Sequence, residues 1–232
     1  MKNNAAATKV LLALTSHAQL GNTGKSTGYY LSELSHPYTI FEQAGLKMDL
    51  VSPQRGKAPL DENSRDLTDP INREFLDRKN ILQQLDNTAI PQQVNAKDYH
   101  GILFVGGHGA MWDFPNHAEL QHIAATIYEN GGIVAAVCHG PASLVNLKLS
   151  DGSYLINGKK LTGFSHAEEE AVGLSQIVPF PLESTLVDRG AFYTKAPLWQ
   201  KHVVMDGRLL TGQNPASATA LGEAIVHVLR GD

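Results

Sequence analysis

The sequence is poor in cysteine, with one among 232 residues, and this scarcity excludes several kinds of site. One cysteine cannot form an intrachain disulfide or a multi-cysteine metal centre. A lone free thiol suits a reducing compartment, so we expect a cytoplasmic protein. The ten histidines include no His-Glu-x-x-His spacing, and no dinucleotide fingerprint follows a strand. We therefore predict a site without a metal ion or another cofactor.

Long apolar runs and basic blocks are also missing. The longest apolar runs, such as residues 133–138, are far shorter than the ~20 residues that cross a bilayer. Near the N-terminus, Lys9 leaves only residues 10–14 apolar, which is too short for a signal-peptide core. Lysine and arginine total 19 against 23 acidic residues, so the net charge is −4. Neither a membrane nor a nucleic acid is an expected partner.

Short apolar runs alternate with helical patterns, as is typical of parallel strands joined by helices. The apolar runs are nearly continuous, which predicts an α/β protein with its sheet covered on both faces. The first strand is expected to follow a short disordered lead. The predicted strands cover residues 9–15, 46–52, 101–105 and 133–137.

The length of the chain and the lack of a linker predict a single domain over residues 1–232. The stretch 53–93 is polar and charged, with one predicted helix near 73–85. We interpret this stretch as a small inserted cap beside the sheet.

Turn and cap residues predict further elements. Asn116 is expected to cap a helix over residues 116–130, and Asn214 to cap the last helix. Asn157-Gly158 and Asp206-Gly207 each lie between short apolar runs, and both dipeptides favour tight hairpin turns.

The segment around Cys138 carries the strongest chemical signal. An apolar strand runs directly into Cys138-His139-Gly140-Pro141, and a helix is expected to open there. Such a turn resembles a nucleophile elbow with cysteine in place of serine, and the helix dipole would favour a thiolate. His139 supplies a titratable group beside the sulfur. The alternative is an ordinary buried core cysteine.

A second glycine-rich turn, Gly106-Gly107-His108-Gly109, ends the predicted strand 101–105. The backbone N–H groups of Gly107 and His139 could form an oxyanion hole beside the sulfur. The alternative is a turn that needs glycine only for a positive φ.

Two acidic features compete for a role. Glu33 lies on the helix predicted after the first strand, and if buried near the sulfur it would have a raised pKa. One member of the run Glu168-Glu169-Glu170 could orient a histidine as a triad acid does. The alternatives are a solvated helix face for Glu33 and a negatively charged first helical turn for the run.

Together these segments resemble the ThiJ/PfpI superfamily, which shares its fold with class I glutamine amidotransferases. Within it the chain is most similar to the glyoxalase III-like branch, related to small heat-shock holding chaperones. The resemblance implies a flavodoxin-like three-layer sandwich with a mostly parallel central sheet and a small cap. The motifs that carry it are residues 105–109, 136–142, 162–170 and 212–217.

The resemblance also implies site residues. It implies a Cys-His-Glu set at Cys138, His139 and Glu170, and a buried helix carboxylate at Glu33. Which of the three consecutive glutamates is the triad acid stays open at this point. Gly107 matches the oxyanion-hole glycine of the family.

His108 and Gly106 are expected in the substrate pocket. The activity implied is the cofactor-free conversion of methylglyoxal, or a similar 2-oxoaldehyde, to D-lactate or the matching 2-hydroxy acid. The thiolate would form a hemithioacetal, and His139 or Glu33 would remove the carbon-bound proton.

A homodimer is the expected assembly. Three alternatives remain: a deglycase that uses the same thiol, a holding chaperone with unfolded client proteins, and a thiol redox sensor. A chaperone would keep its activity when Cys138 is replaced by alanine, whereas a glyoxalase would lose it.

Overall fold

A six-stranded sheet forms the centre of the protein, whose computed structural model describes residues 8–231. The expected lead before the first strand lies outside the described residues. The strands of the sheet are β1 (Lys9–Ala13), β2 (Lys47–Val51), β3 (Gly101–Phe104), β4 (Ile133–Val137), β7 (Val203–Asp206) and β8 (Leu209–Gly212). Five of them run parallel, in the order β2-β1-β3-β4-β8, and β7 pairs antiparallel with β8 at one edge.

Helices surround the sheet, and the predicted α/β architecture with a mostly parallel centre is confirmed. The helices are α1 (Leu31–Gln43), α2 (Pro70–Asp77), α3 (Lys79–Asp86), α4 (Ala110–Asp113), α5 (Ala118–Glu129), α6 (His166–Ala171), α7 (Leu182–Asp188) and α8 (Ala218–Arg230). Helices α1 and α8 pack against each other, and α5 packs on β3 and β4. No helix within residues 8–231 is both long enough and apolar enough to cross a membrane.

The four strands predicted from apolar runs are all present, with ends shorter by one or two residues in three of them. The side chains of β3 and β4, and those of β1 after Lys9, are buried because helices cover the sheet, whereas β2 is buried only at Leu50 and Val51. Since β1, β3 and β4 are parallel, their carboxyl ends meet at one edge, where open sheets bind ligands.

One of the two predicted hairpins is wrong. Asp206-Gly207 joins β7 to β8 as expected, with Gly207 at φ +60°. Asn157-Gly158 forms a turn but no hairpin, because the following strand β5 (Lys160–Leu161) pairs in parallel with β6 (Phe192–Tyr193). The turn instead contacts a distant segment, where the Gly158 N–H donates to the Gly190 carbonyl at 2.8 Å.

Predicted helix boundaries also shift. The N-cap of α5 is His117 rather than Asn116, and its ring accepts a hydrogen bond from the Leu120 N–H. The helix expected near 73–85 is divided into α2 and α3 at Arg78, whose backbone is extended. The Arg78 guanidinium donates to both carboxylate oxygens of Glu42 on α1.

The stretch 53–93 is attached to α1 by packing and polar contacts. The ring of Phe75 on α2 packs edge-on against Tyr38 with centroids 5.3 Å apart. The Ser35 hydroxyl donates to the Asn72 side chain at 2.5 Å. The role of this stretch as a cap, and the single domain over 1–232, stay predictions.

Candidate active site

Cys138 lies at a sharp turn directly after β4. Its φ is +58°, a left-handed conformation that costs a non-glycine residue about 1–3 kcal/mol. Backbone hydrogen bonds hold it there: its N–H donates to the Gly212 carbonyl at 2.8 Å, and its carbonyl accepts from Phe164 at 2.7 Å. A short 3-10 helix, Gly140–Leu144, follows. A side chain at Gly140 would collide with the Phe104 carbonyl, which explains the glycine after the turn.

The sulfur faces a cavity of ≈ 480 Å³ although Cys138 is only 2% exposed. The cavity lies at the carboxyl edge of the sheet and is also lined by Gly107, His108 and His139. A ligand that enters this cavity can reach the thiol, so the residue is more than a sealed part of the core.

The expectation of a resting thiolate at Cys138 is not met. Burial raises the pKa of the Cys138 thiol well above its usual value, and the Glu33 carboxylate acts in the same direction. The 3-10 helix that begins at Gly140 has five residues, too few for the strong dipole of a long helix. This direction favours the protonated thiol over the thiolate.

His139 is the titratable side chain next to the thiol. Its Nδ1 lies 3.4 Å from the Cys138 sulfur, and its Nε2 lies 2.7 Å from Oε2 of Glu169. With Nε2–H donating to the carboxylate, Nδ1 is the free acceptor that faces the sulfur. Burial and the electrostatic effect of His108 lower the pKa of His139 more than Glu169 raises it, which favours the neutral ring.

Glu169 holds two imidazole rings at once. Its Oε1 lies 2.7 Å from Nε2 of His108, while Oε2 binds His139. The two rings lie with centroids 4.0 Å apart. Burial alone would raise the pKa of Glu169, but His139 and His108 outweigh it and hold the pKa far below its ordinary value.

The expected triad acid, Glu170, is the wrong member of the glutamate run. Its side chain is exposed and lies 3.3 Å from His166 on the surface of α6. Ser165 caps α6 in a capping box with Glu168, which fixes the phase of the helix. Successive residues are rotated by about 100°, so Glu168 and Glu169 turn inward and Glu170 turns out.

Glu33 lies on α1 beside the sulfur, as expected if it acts there. It is wholly buried, and burial raises its pKa to about 8, while the Cys138 side chain and the Gly106 backbone act in the lowering direction. Neither carboxyl oxygen has a partner with full hydrogen-bond geometry among residues 8–231. Glu33 is therefore mostly a neutral carboxylic acid at pH 7.

The glycine turn after β3 supplies the expected N–H groups. Gly107 has φ +108° and lines the cavity, and a side chain there would collide with the Gly28 carbonyl. The N–H groups of Gly107 and His139 donate to no protein acceptor in the described part of the chain, so both are free for a ligand. Gly106, expected in the pocket, instead packs behind the sulfur, where a Cβ would collide with Glu33.

His108, His139 and Glu169 also form a cluster of possible metal ligands. One ligand atom of each lies within 4.8 Å of the others. Two imidazoles and a carboxylate are a donor set that divalent transition metals accept. The absence of a metal stays a prediction of the sequence.

Two features of the site were not predicted from the sequence: the hydrogen-bond network around Glu168, which was only one of three candidate triad acids, and the position of Trp199. Glu168 is wholly buried behind the cavity and accepts five hydrogen bonds, and Trp199 forms part of the cavity wall. The capping-box spacing from Ser165 to Glu168 could have indicated that Glu168 turns inward. No local pattern marks Trp199, because it lies in a loop far from the motifs.

Comparison with known proteins gives close relatives over nearly the whole chain. The glutathione-independent glyoxalase HSP31 of Saccharomyces cerevisiae is 38% identical over 238 residues, covering 96% of this chain and 98% of the relative. Glyoxalase 3 of Candida albicans is 35% identical over 235 residues, covering 94% and 97%.

Solved structures agree with these relatives. The crystal structure of glyoxalase III from Candida albicans superposes with a TM-score of 0.88 at 35% identity, covering 94% of this chain and 96% of that one. The Rapid Encystment Protein of 24 kDa from Francisella tularensis gives 0.93 at 43% identity, covering 96% and 99%. The DJ-1/PfpI family profile matches residues 26–228. The resemblance drawn from the motifs is thus confirmed, and the chain belongs to the DJ-1/PfpI family.

Proposed function

We propose that the protein is a glutathione-independent glyoxalase. It converts methylglyoxal, or a related 2-oxoaldehyde, to D-lactate or the matching 2-hydroxy acid through a cysteine hemithioacetal. The observation that supports this proposal is the chain of polar contacts from Cys138 through His139 to Glu169 at the cavity. The Glu33 acid lies beside the sulfur. The names of the relatives support the same activity.

The first step is addition of the thiol to the aldehyde carbon. The Cys138 proton passes to Nδ1 of His139, 3.4 Å from the sulfur, as the C–S bond forms. Glu169 stabilises the imidazolium from the other side of the ring. The free N–H groups of Gly107 and His139 are suited to the developing oxyanion. His139 then returns the proton to that oxygen, which leaves a neutral hemithioacetal.

The second step moves a proton between the two substrate carbons. Neutral His139 removes the carbon-bound proton, and protonated Glu33 gives its proton to the keto oxygen, which forms an enediol. His139 then protonates the former keto carbon while Glu33 takes back a proton from the other oxygen. We assign these roles because Glu33, with a pKa of about 8, starts as an acid, whereas the lowered pKa of His139 makes it the base.

Hydrolysis of the resulting thioester completes the cycle. Water attacks the carbonyl with His139 as base, and the C–S bond breaks to return the Cys138 thiol. The aldehyde carbon is oxidised and the keto carbon is reduced, so the net reaction consumes one water and needs no external oxidant or reductant. No step of the proposal therefore requires a redox cofactor.

The decisive experiment follows lactate formation from methylglyoxal without glutathione, with chiral detection of the product. We expect the wild type to form D-lactate and Cys138→Ala to form none while keeping its circular dichroism spectrum. Retained turnover in Cys138→Ala would reject the covalent mechanism. Absence of lactate from the wild type would reject the proposed function.

The assembly and location belong to the same proposal. We propose a cytoplasmic homodimer with a single domain and residues 53–93 as its cap. The small 2-oxoaldehyde is the expected partner, without nucleic acid or membrane. Light scattering of the purified protein in solution tests the dimer directly.

A further inference from the structure

The cavity beside Cys138 is larger than methylglyoxal requires. Its volume of ≈ 480 Å³ lies within the range of about 300–1,000 Å³ found for pockets that hold drug-sized ligands. Methylglyoxal is one of the smallest dicarbonyl compounds and leaves most of this space unfilled. The residues that line the unfilled space therefore indicate which larger substituent the substrate carries.

Apolar side chains make up one part of the cavity lining. Two aromatic rings extend from His139 along this part of the lining. We call Phe164 and Trp199 the aromatic wall. The Phe164 ring lies with its centroid 4.4 Å from that of His139, and Trp199 lies 5.9 Å from Phe164. Val172 and Leu174 continue the apolar lining beyond the wall.

Trp199 combines a position on the cavity wall with a left-handed backbone conformation. Its side chain is 46% exposed and lines the cavity, and its backbone adopts a left-handed φ of +61°. This conformation costs a bulky residue about 1–3 kcal/mol and persists only when neighbouring contacts impose it. A large indole held in a strained position at a cavity wall indicates a surface for a ligand.

Glu168 imposes that position. One of its oxygens accepts from the Trp199 N–H at 3.1 Å and from Asn214 at 2.8 Å, and the other accepts from Ser165 and from Gln213. The buried carboxylate thus ties the start of α6, the loop before β7 and the segment after β8 together. It plays no part in the proposed proton transfers, so we treat it as a positioning residue for the wall.

From these contacts we infer that the aromatic wall selects 2-oxoaldehydes with a bulky apolar substituent, such as an aryl group, over methylglyoxal. The dicarbonyl end would lie at Cys138, and the substituent would pack against Phe164 and Trp199. This inference rests on the proposed function. The reaction balance is unchanged: phenylglyoxal and one water give mandelate and a proton.

The experiment compares kcat/KM for three substrates that share the dicarbonyl end. Phenylglyoxal carries an apolar ring, methylglyoxal a methyl group, and hydroxypyruvaldehyde a polar hydroxymethyl group. We expect wild type to favour phenylglyoxal over both others by at least about tenfold, since apolar groups in a fitting pocket contribute strongly to selectivity. A preference for hydroxypyruvaldehyde, or no preference, would overturn the inference.

Substitution of the wall tests the assignment to residues. In Trp199→Ala the ratio of kcat/KM for phenylglyoxal to that for methylglyoxal should fall by roughly tenfold. Phe192→Ala is the matched control, because Phe192 is an exposed aromatic residue on β6 that does not line the cavity. Its ratio should equal that of the wild type, and an equal fall in both variants would overturn the inference.

Glu168→Gln tests the positioning role. The glutamine amide introduces an N–H donor at a position that now accepts hydrogen bonds from Trp199 and its neighbours. The backbone of Trp199 should therefore lose its fixed position. We expect KM for phenylglyoxal to rise more than kcat falls, with a smaller change of KM for methylglyoxal. A purely structural role for Glu168 would change both substrates alike, which would contradict its link to the wall.

A binding measurement separates failure of this inference from failure of the proposed function. Trp112→Phe leaves Trp199 as the single tryptophan, and Trp112 stacks on His17 outside the cavity. Acetophenone has the aryl ketone but lacks the aldehyde carbon that Cys138 would attack. Quenching of Trp199 emission that saturates as the acetophenone concentration rises supports an apolar ligand site even if no 2-oxoaldehyde is turned over. Absence of saturable quenching would show that the aromatic wall binds no apolar ligand, and would overturn the inference.

Discussion

Nε2 of His139 lies 2.7 Å from Oε2 of Glu169, in a site where both residues are buried. This contact fixes the tautomer of the ring, because the N–H must point to the carboxylate. The other ring nitrogen is thereby left as an acceptor, facing the Cys138 sulfur at 3.4 Å. This geometry suits a protonated thiol whose proton can pass to the neighbouring neutral imidazole.

Glu169→Gln should lower kcat with methylglyoxal by about 10²-fold or more, because the ring loses both its tautomer and the charge that stabilises imidazolium. Glu170→Gln is the matched control, since its side chain is exposed on the next position of α6. Steady-state kinetics of both variants check this, with thermal unfolding to exclude loss of fold. A large loss in Glu170→Gln with normal turnover in Glu169→Gln would restore the original assignment.

Glu33 should make folding stability depend on pH. Its pKa is about 8 in the folded protein against an ordinary 4.5. Between these values the folded protein holds a proton that the unfolded chain has released. Stability therefore falls as pH rises through this window, by on the order of a few kcal/mol, and levels off above it.

Glu33→Gln should remove this pH dependence. The free energy of unfolding of the variant, relative to that of the wild type, should therefore be higher at pH 8 than at pH 5. Urea unfolding at several pH values measures the difference. Glu74→Gln on α2 is the control, because Glu74 is exposed. Parallel pH profiles for wild type and Glu33→Gln would show that the carboxyl is not protonated in the fold.

His108→Gln should shift the pH dependence of kcat/KM. The charge of His108 is, after burial, the second cause that lowers the pKa of His139. Glutamine keeps a donor for Glu169 but removes that charge, so the pKa of His139 should rise. The acidic limb of the profile should then move to higher pH, because the base must be neutral. His166→Gln, on the exposed face of α6, should leave the limb in place, and an unmoved limb in His108→Gln would contradict the account.

Gly107→Ala should damage both fold and turnover. The added methyl group would meet the Gly28 carbonyl and the Tyr30 N–H, and the φ of +108° is itself unfavourable for alanine. We expect kcat to fall by about 10²-fold, as for loss of an oxyanion donor. Gly131→Ala shares a positive φ but has open space around it, so it should lose only about 1 kcal/mol of stability and keep kcat. Equal turnover in the two variants would argue against a role for the Gly107 N–H.

Local sequence patterns determined the frame of this protein. Nearly continuous apolar runs predicted the strands that form most of the parallel sheet, because a sheet covered on both faces favours apolar residues at most positions. The order of strand and turn placed Cys138, His139 and Gly107 at one edge, since parallel strands end on the same side. The strands and the turns that follow them depend on residues adjacent in the sequence, so the local sequence pattern is enough to predict them.

Tertiary structure decided which polar groups face each other. The choice of Glu169 over Glu170 depends on the phase of α6, which its cap and the buried donors around Glu168 fix together. The protonated state of Cys138 depends on burial from several distant segments, against the helix dipole that its own neighbours suggested. The backbone N–H of Trp199, at the cavity wall, donates to the carboxylate of Glu168, which lies 31 residues away in the chain. Such long-range contacts leave no local period or spacing, and for that reason only the folded chain determines them.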